Sequence, residues 1–98
     1  MKGIVEIKED LYEIRYYYLM KDLFEKGLNT GIPSKIEEKV KIYSKAISQA
    51  PAQLYAFYIS YYVNNEKRMV IAESWNTTTQ NLHFINRRLY EYFQQVLA

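Results

Sequence analysis

The chain of 98 residues contains no cysteine and only one histidine, His83. The absence of cysteine excludes disulfides, a cysteine nucleophile and a zinc finger. One histidine cannot build a histidine-rich metal site, so a metal ion would depend on carboxylate and carbonyl ligands. The sequence therefore predicts no cofactor and no metal centre.

Glycine, proline and net charge are also low, with three glycines, two prolines and a net charge of +2. This length without repeats or linkers predicts a single domain, residues 1–98. The charge is too small for a surface committed to phosphate neutralisation. Residues 46–65 lack charge, but polar residues interrupt them, so no membrane helix is expected. The first residues lack a signal peptide's apolar region, and we expect a cytoplasmic protein.

The first half of the chain predicts a strand and two helices. Residues 3–8 favour a short strand, with an extra helical turn as the alternative. Asp10 and Glu13 have the spacing of a capping box and predict a helix over residues 11–26. A glycine-rich loop at 27–33 precedes a second helix, which runs from about residue 35 and ends before Pro51.

The second half predicts a β-hairpin and a long helix. Residues 53–63 carry aromatic and branched side chains of both parities and favour a strand, although a buried helix has the same pattern. Asn64 and Asn65 suit a hairpin turn, and residues 68–75 form the returning strand. The last helix, capped by Asn76 or Thr77, has an apolar stripe of Leu82, Ile85, Leu89, Tyr92, Phe93 and Val96. The prediction is an α+β fold of order β-α-α-β-β-α, with a small antiparallel or mixed sheet covered by helices.

Tyrosine is abundant, with eleven tyrosines against four phenylalanines. Most such rings pack at the edge of a core, and some form recognition patches. Three helices cannot cover both faces of the sheet, so we expect a second copy to cover one face. The first hypothesis is a non-enzymatic homodimer that binds another protein, and its interaction residues are Tyr55, Tyr58, Tyr61, Tyr62 and Trp75.

Basic residues carry the alternative hypothesis, a protein that binds DNA or RNA. Its candidate contacts are Lys67, Arg68, Arg87 and Arg88, with exposed tyrosines as platforms for base stacking. Glutamates lie among the basic residues, and mixed charge is equally typical of a solvated surface.

Catalysis has little support in the sequence, and we predict that the protein is not an enzyme. His83, Arg87 and Tyr90 mark a second, polar face of the last helix, but no Ser-His-Asp arrangement accompanies them. Glu73 is a candidate metal ligand, yet a nuclease strand of the Glu-x-Lys type would have lysine where Trp75 stands. A small metal-dependent enzyme is the third hypothesis.

Two resemblances accompany these patterns. The order of elements, with a loop between Gly27 and Gly31, is similar to the type I KH domain, an RNA-binding fold whose loop has two residues between its glycines rather than three. The cysteine-free composition and the tyrosine runs at 16–18 and 61–62 resemble small accessory proteins of viruses that infect hot-spring archaea. That resemblance implies a dimeric viral protein in the host cytoplasm.

Overall fold

The computed structural model describes residues 2–25 and 34–97. Their regular elements are α1 (Ile4–Glu25), α2 (Ser34–Ile47), α3 (Ala52–Phe57), α4 (Arg68–Ser74) and α5 (Thr79–Val96), with a π-helical segment (Tyr58–Val63) that continues α3. Every regular element in these two ranges is helical, so the α+β prediction, with its sheet, is wrong. The predicted glycine loop at 27–33 lies outside the described residues.

Residues 3–8 do not form the predicted strand but begin α1. The amide of Ile7 donates to the carbonyl of Gly3 (3.1 Å), which makes the first helical turn. Ile7, Leu11 and Ile14 then follow one another at helical spacing and are fully buried. The alternative reading of an extra helical turn was therefore correct, and the helix starts seven residues before the predicted boundary.

The predicted strand at 53–63 is helical because its apolar residues of both parities surround a helix instead of covering two faces of a sheet. Leu54, Phe57, Tyr58, Tyr61 and Tyr62 are all buried. The helix widens after Phe57, and the amide of Asn64 reaches back five residues to the carbonyl of Ile59 (2.8 Å). Such π-helical turns are rare and occur mostly as single turns within α-helices.

The predicted returning strand at 68–75 is the short helix α4. Asn65, with φ of 56°, makes the predicted turn, but this turn joins two helices. α4 ends at Ser74, and Asn76, two residues later, has a φ of 52°. The amides of Asn76 and Thr77 donate to the carbonyls of Glu73 (3.1 Å) and Ala72 (2.9 Å). This pattern is a Schellman motif with asparagine in the left-handed position that ends a helix.

α5 confirms the predicted last helix. The cap is Thr78, one residue beyond the predicted positions, and its hydroxyl accepts from the amide of Asn81 (3.1 Å). The buried members of the predicted stripe are Leu82, Ile85, Leu89 and Phe93, whereas Val96 is exposed. α2 likewise buries Val40, Tyr43 and Ile47, as its periodicity predicts.

A buried carboxylate joins α1 to α2. Asp10 was predicted to cap a helix, but it lies inside α1 and accepts hydrogen bonds from Tyr43 (Oη to Oδ2, 2.7 Å) and Lys2 (Nζ to Oδ2, 2.9 Å). Lys39 Nζ lies 3.0 Å from Oδ1 and also binds Glu13. Burial raises the pKa of the Asp10 carboxyl, but the bonds from Lys2, Tyr43 and Lys39 outweigh it and hold the pKa below its ordinary value.

The remaining helices pack around this pair to make one apolar core. Aromatic rings dominate it: Tyr43 and Tyr58 both contact Phe93, and Phe57 stacks on Tyr61. No helix in the described ranges has the length and apolar character needed to cross a membrane.

Candidate functional site

The predicted interaction residues occupy different environments. Tyr58, Tyr61 and Tyr62 are buried inside one copy of the chain, whereas Tyr55 is exposed and Trp75 is half-buried against the core. Their rings therefore stabilise the fold in this structure. The surface that they leave for a partner is essentially that of Tyr55.

A different apolar surface lies on the outer face of α1. Val5, Tyr12, Tyr16 and Leu19 each have 54–69% of their surface exposed. At about 3.6 residues per turn, their spacings of seven, four and three place them along one side of the helix, opposite the core side. We call these four residues the α1 stripe, and its length is about 21 Å at a rise of about 1.5 Å per residue.

Charges of opposite sign border the α1 stripe. Lys8 and Arg15 follow one edge by helical geometry, and Glu9 and Glu13 follow the other. Tyr12, Tyr16 and Leu19 are neighbours along the helix, and Val5 continues their line two turns earlier, beyond Lys8 and Glu9. Such an arrangement is typical of the seam between two paired helices, where the borders set the relative orientation.

Other exposed apolar side chains form smaller groups. Ile42 and Val96 border a shallow pocket of about 330 Å³ between α2 and the end of α5, together with Leu97. Met69 and Val70 are exposed on α4, and Phe84 is exposed on α5. None of these groups places four large side chains on one face of one helix.

The predicted nucleic-acid residues do not form one continuous track. Arg68 and Arg87 line the same groove, between α1, α4 and α5, and Lys67 is exposed beside Arg68. Arg88 points elsewhere, because its Nη1 atom donates to Oε1 of Gln53 (3.4 Å). The interface of this hypothesis stays a prediction, with two of its four residues brought together.

This basic groove has a volume of about 470 Å³ and combines cationic with hydroxyl and amide groups. Its lining residues are Ile4, Lys8, Tyr12, Arg68, His83, Asn86, Arg87 and Tyr90. The polar face of the last helix that the sequence marks by His83, Arg87 and Tyr90 is therefore one wall of the groove. The opposite wall is the first half of α1.

A buried chain of hydrogen bonds stabilises the α5 wall of the groove. The hydroxyl of Tyr62 donates to Oδ1 of Asn86 (2.6 Å), and Nδ2 of Asn86 donates to the hydroxyl of Tyr90 (2.7 Å). Burial raises the pKa of the Tyr62 phenol, which therefore stays protonated and donates. The chain connects the core to the groove and holds Asn86 and Tyr90 in fixed orientations.

The two residues that the sequence offered as a metal ligand and as a catalytic group are both exposed. Glu73 is exposed on α4, and His83 is exposed on α5. Across residues 2–25 and 34–97, no three histidine or acidic side chains come together in a way that could hold a metal ion.

Sequence reasoning missed the α1 stripe and the part of the groove that α1 supplies. The signal was present in the sequence. Val5, Tyr12 and Leu19 are seven residues apart, and Tyr16, four residues after Tyr12, falls on the same helix face. Interpreting residues 3–8 as a strand removed Val5 and Lys8 from the helix and hid the repeat.

Comparison of the chain with protein-family models, curated proteins and solved structures finds no match. The resemblance to archaeal viral proteins and the expected cytoplasmic location therefore stay predictions.

Proposed function

We propose that the protein is a non-enzymatic interaction module that forms a homodimer by pairing the α1 stripes of two copies. The observation that carries this proposal is the exposure of Val5, Tyr12, Tyr16 and Leu19 along one helix face. Large exposed apolar side chains gathered on one face mark interaction surfaces in soluble proteins.

A second copy is the partner because the α1 stripe and its borders complement each other. In a parallel pair of helices, the Lys8 and Arg15 border of one copy lies beside the Glu9 and Glu13 border of the other. An antiparallel pair would instead bring borders of like charge together. Two identical chains also bring the same apolar stripe twice and bury both at once.

The dimer replaces the one expected from the strand at 53–63. That expectation rested on an apolar sheet face without cover, and the residues of that segment are instead largely buried among the helices. The unpaired apolar face that motivates a second copy thus lies on α1, in the first quarter of the sequence.

Light scattering on a size-exclusion column tests the proposal with one variant and one control. The wild-type chain should have twice the 11.8 kDa mass of a single copy. The double variant Tyr16→Glu and Leu19→Lys should elute as a monomer with an unchanged helical circular-dichroism spectrum. Ile42→Lys places a charge on an equally exposed apolar residue of α2 and should remain dimeric.

Two outcomes would contradict the proposal. A wild-type mass of one chain across the micromolar range would exclude a stable dimer. Dissociation by Ile42→Lys, with the α1 variant still dimeric, would move the interface to the pocket between α2 and α5.

A further inference from the structure

The basic groove brings positive charge together without compensating acid. Lys8, Arg68 and Arg87 line it from three different helices, and none of its lining residues is aspartate or glutamate. Within the two described ranges, the ion pair that these cations form joins Nε of Arg87 to Glu91 at 3.7 Å, with both side chains largely exposed. Such an exposed pair contributes little energy and exchanges readily with another anion.

Arg68 is held in place and yet lacks a full set of partners. Its guanidinium lies 5.1 Å from the ring centroid of Tyr61, which also contacts Arg15 at 4.4 Å. Its Nε atom is buried and has no hydrogen-bond acceptor in the described part of the chain. A buried donor without an acceptor is costly, and within the described residues no carboxylate pairs with this guanidinium, so its charge remains for an anion in the groove.

The phenol of Tyr90 and the ammonium group of Lys8 complete the same groove. The hydroxyl of Tyr90 accepts from Asn86, and its own hydrogen remains for an acceptor in the groove. Lys8 Nζ lies 5.7 Å from the centroid of the Tyr90 ring, so the ammonium group is directed across the groove towards α5. Guanidinium, ammonium and phenol groups around one space are the donors that recognise phosphate oxygens.

We infer that the basic groove binds the phosphate group of a small molecule. Its volume lies within the range of small-ligand sites, roughly 300–1,000 Å³. Continuous binding of a nucleic-acid strand would call for a longer track of cations, and Arg88 turns away from the groove towards Gln53. The side chain of Ile4 supplies an apolar edge for the remainder of a phosphorylated organic compound.

Calorimetric titration tests the inference with three probes: inorganic phosphate, adenosine monophosphate and a single-stranded oligonucleotide without terminal phosphates. We expect the first, the second or both to bind with one site per chain, and their comparison distinguishes free phosphate from a phosphorylated organic source. Arg87→Gln and the double variant Arg68→Gln with Arg87→Gln should each weaken binding, the double variant at least tenfold. Arg88→Gln removes the same charge from the same helix outside the groove and should change affinity less than twofold.

The single variant Arg87→Gln guards against misfolding, because its side chain is exposed and has no role in the core. Absence of binding by both phosphate and the monophosphate at millimolar concentration would overturn the inference. Tighter binding of the oligonucleotide, weakened equally by Arg88→Gln and Arg87→Gln, would also overturn it and favour a nucleic-acid surface. Lys8 borders the α1 stripe as well as the groove, whereas Arg68 and Arg87 belong to the groove alone, so failure of the dimer proposal leaves this test intact.

Discussion

The hydroxyl of Tyr43 on α2 donates a 2.7 Å hydrogen bond to the carboxylate of Asp10 on α1, and both groups are buried. This contact joins two helices across a sequence separation of 33 residues. Burial, and then the hydrogen bond to Asp10, raise the pKa of Tyr43, so the phenol stays protonated and continues to donate. The pair positions α1 on the core and thereby turns the α1 stripe outwards.

Tyr43→Phe should lower the free energy of unfolding by about 1.5–3 kcal/mol, the usual contribution of a hydrogen bond to a charged group. The ring remains, so packing against Phe93 is retained and the loss reports the hydroxyl. Urea denaturation measures the change. Tyr55→Phe changes an exposed tyrosine and is the control, so it should leave the free energy of unfolding unchanged. Equal losses in the two variants would show that the hydrogen bond to Asp10 does not stabilise the fold.

The pH dependence of stability should also report Asp10. Its pKa in the folded state lies below the ordinary value of about 3.9. Its stabilising contribution is therefore complete above that value and disappears as the pH falls through the folded-state pKa. The stability difference between wild type and Asp10→Asn should be constant from neutral pH to about pH 5 and shrink below about pH 4. A difference that grew in acid would contradict this sign.

Tyr58 and Tyr62 should respond oppositely to loss of the hydroxyl. The Tyr58 hydroxyl is buried without a hydrogen-bond partner in the described part of the chain; Ser44 is nearby but outside bonding geometry. Tyr58→Phe should therefore leave stability unchanged or raise it, whereas Tyr62→Phe orphans Oδ1 of Asn86 and should cost about 1–3 kcal/mol. Thermal unfolding of the two variants side by side compares them, and a reversed order would refute the assignment.

Leu89→Ala should destabilise the protein by about 2–5 kcal/mol, because the side chain is fully buried at the centre of α5. Val96→Ala, on the exposed end of the same helix, is the matched control. Chemical denaturation distinguishes them. A Leu89 effect no larger than that of Val96 would show that α5 packs through another face.

Helices with one apolar face were predictable, and the densely apolar segment was not. α2 and α5 combine a single buried stripe with polar residues elsewhere, a pattern that only a helix satisfies. Residues 53–63 lack this alternation of apolar and polar faces. A tyrosine contributes the same apolar signal to the pattern whether its ring is buried or exposed. In the structure Phe57 packs against Tyr61, four residues along the same helix, and against Trp75 beyond α4.

One wall of the basic groove could be predicted from the sequence, and the other could not. The polar face of His83, Arg87 and Tyr90 was recognised as a feature of the last helix, and it proved to be a wall of the basic groove. Its opposite wall required knowing that Lys8 belongs to a helix. α1 is apolar on two opposite sides, so its periodicity is weak, and the division between core and outer face appears only when the other helices are in place.

Disulfide formation at introduced cysteines tests the central claim most directly, because the chain has no cysteine of its own. In a parallel dimer, each position of the α1 stripe faces the same position of the second copy. Val5→Cys and Leu19→Cys should therefore each cross-link to a covalent dimer under mild oxidation at low micromolar concentration, whereas Ile42→Cys should remain a monomer on a denaturing gel. Pairing through α1 would be contradicted if Ile42→Cys cross-linked as fast as the two α1 variants. It would also be contradicted if none of the three variants cross-linked.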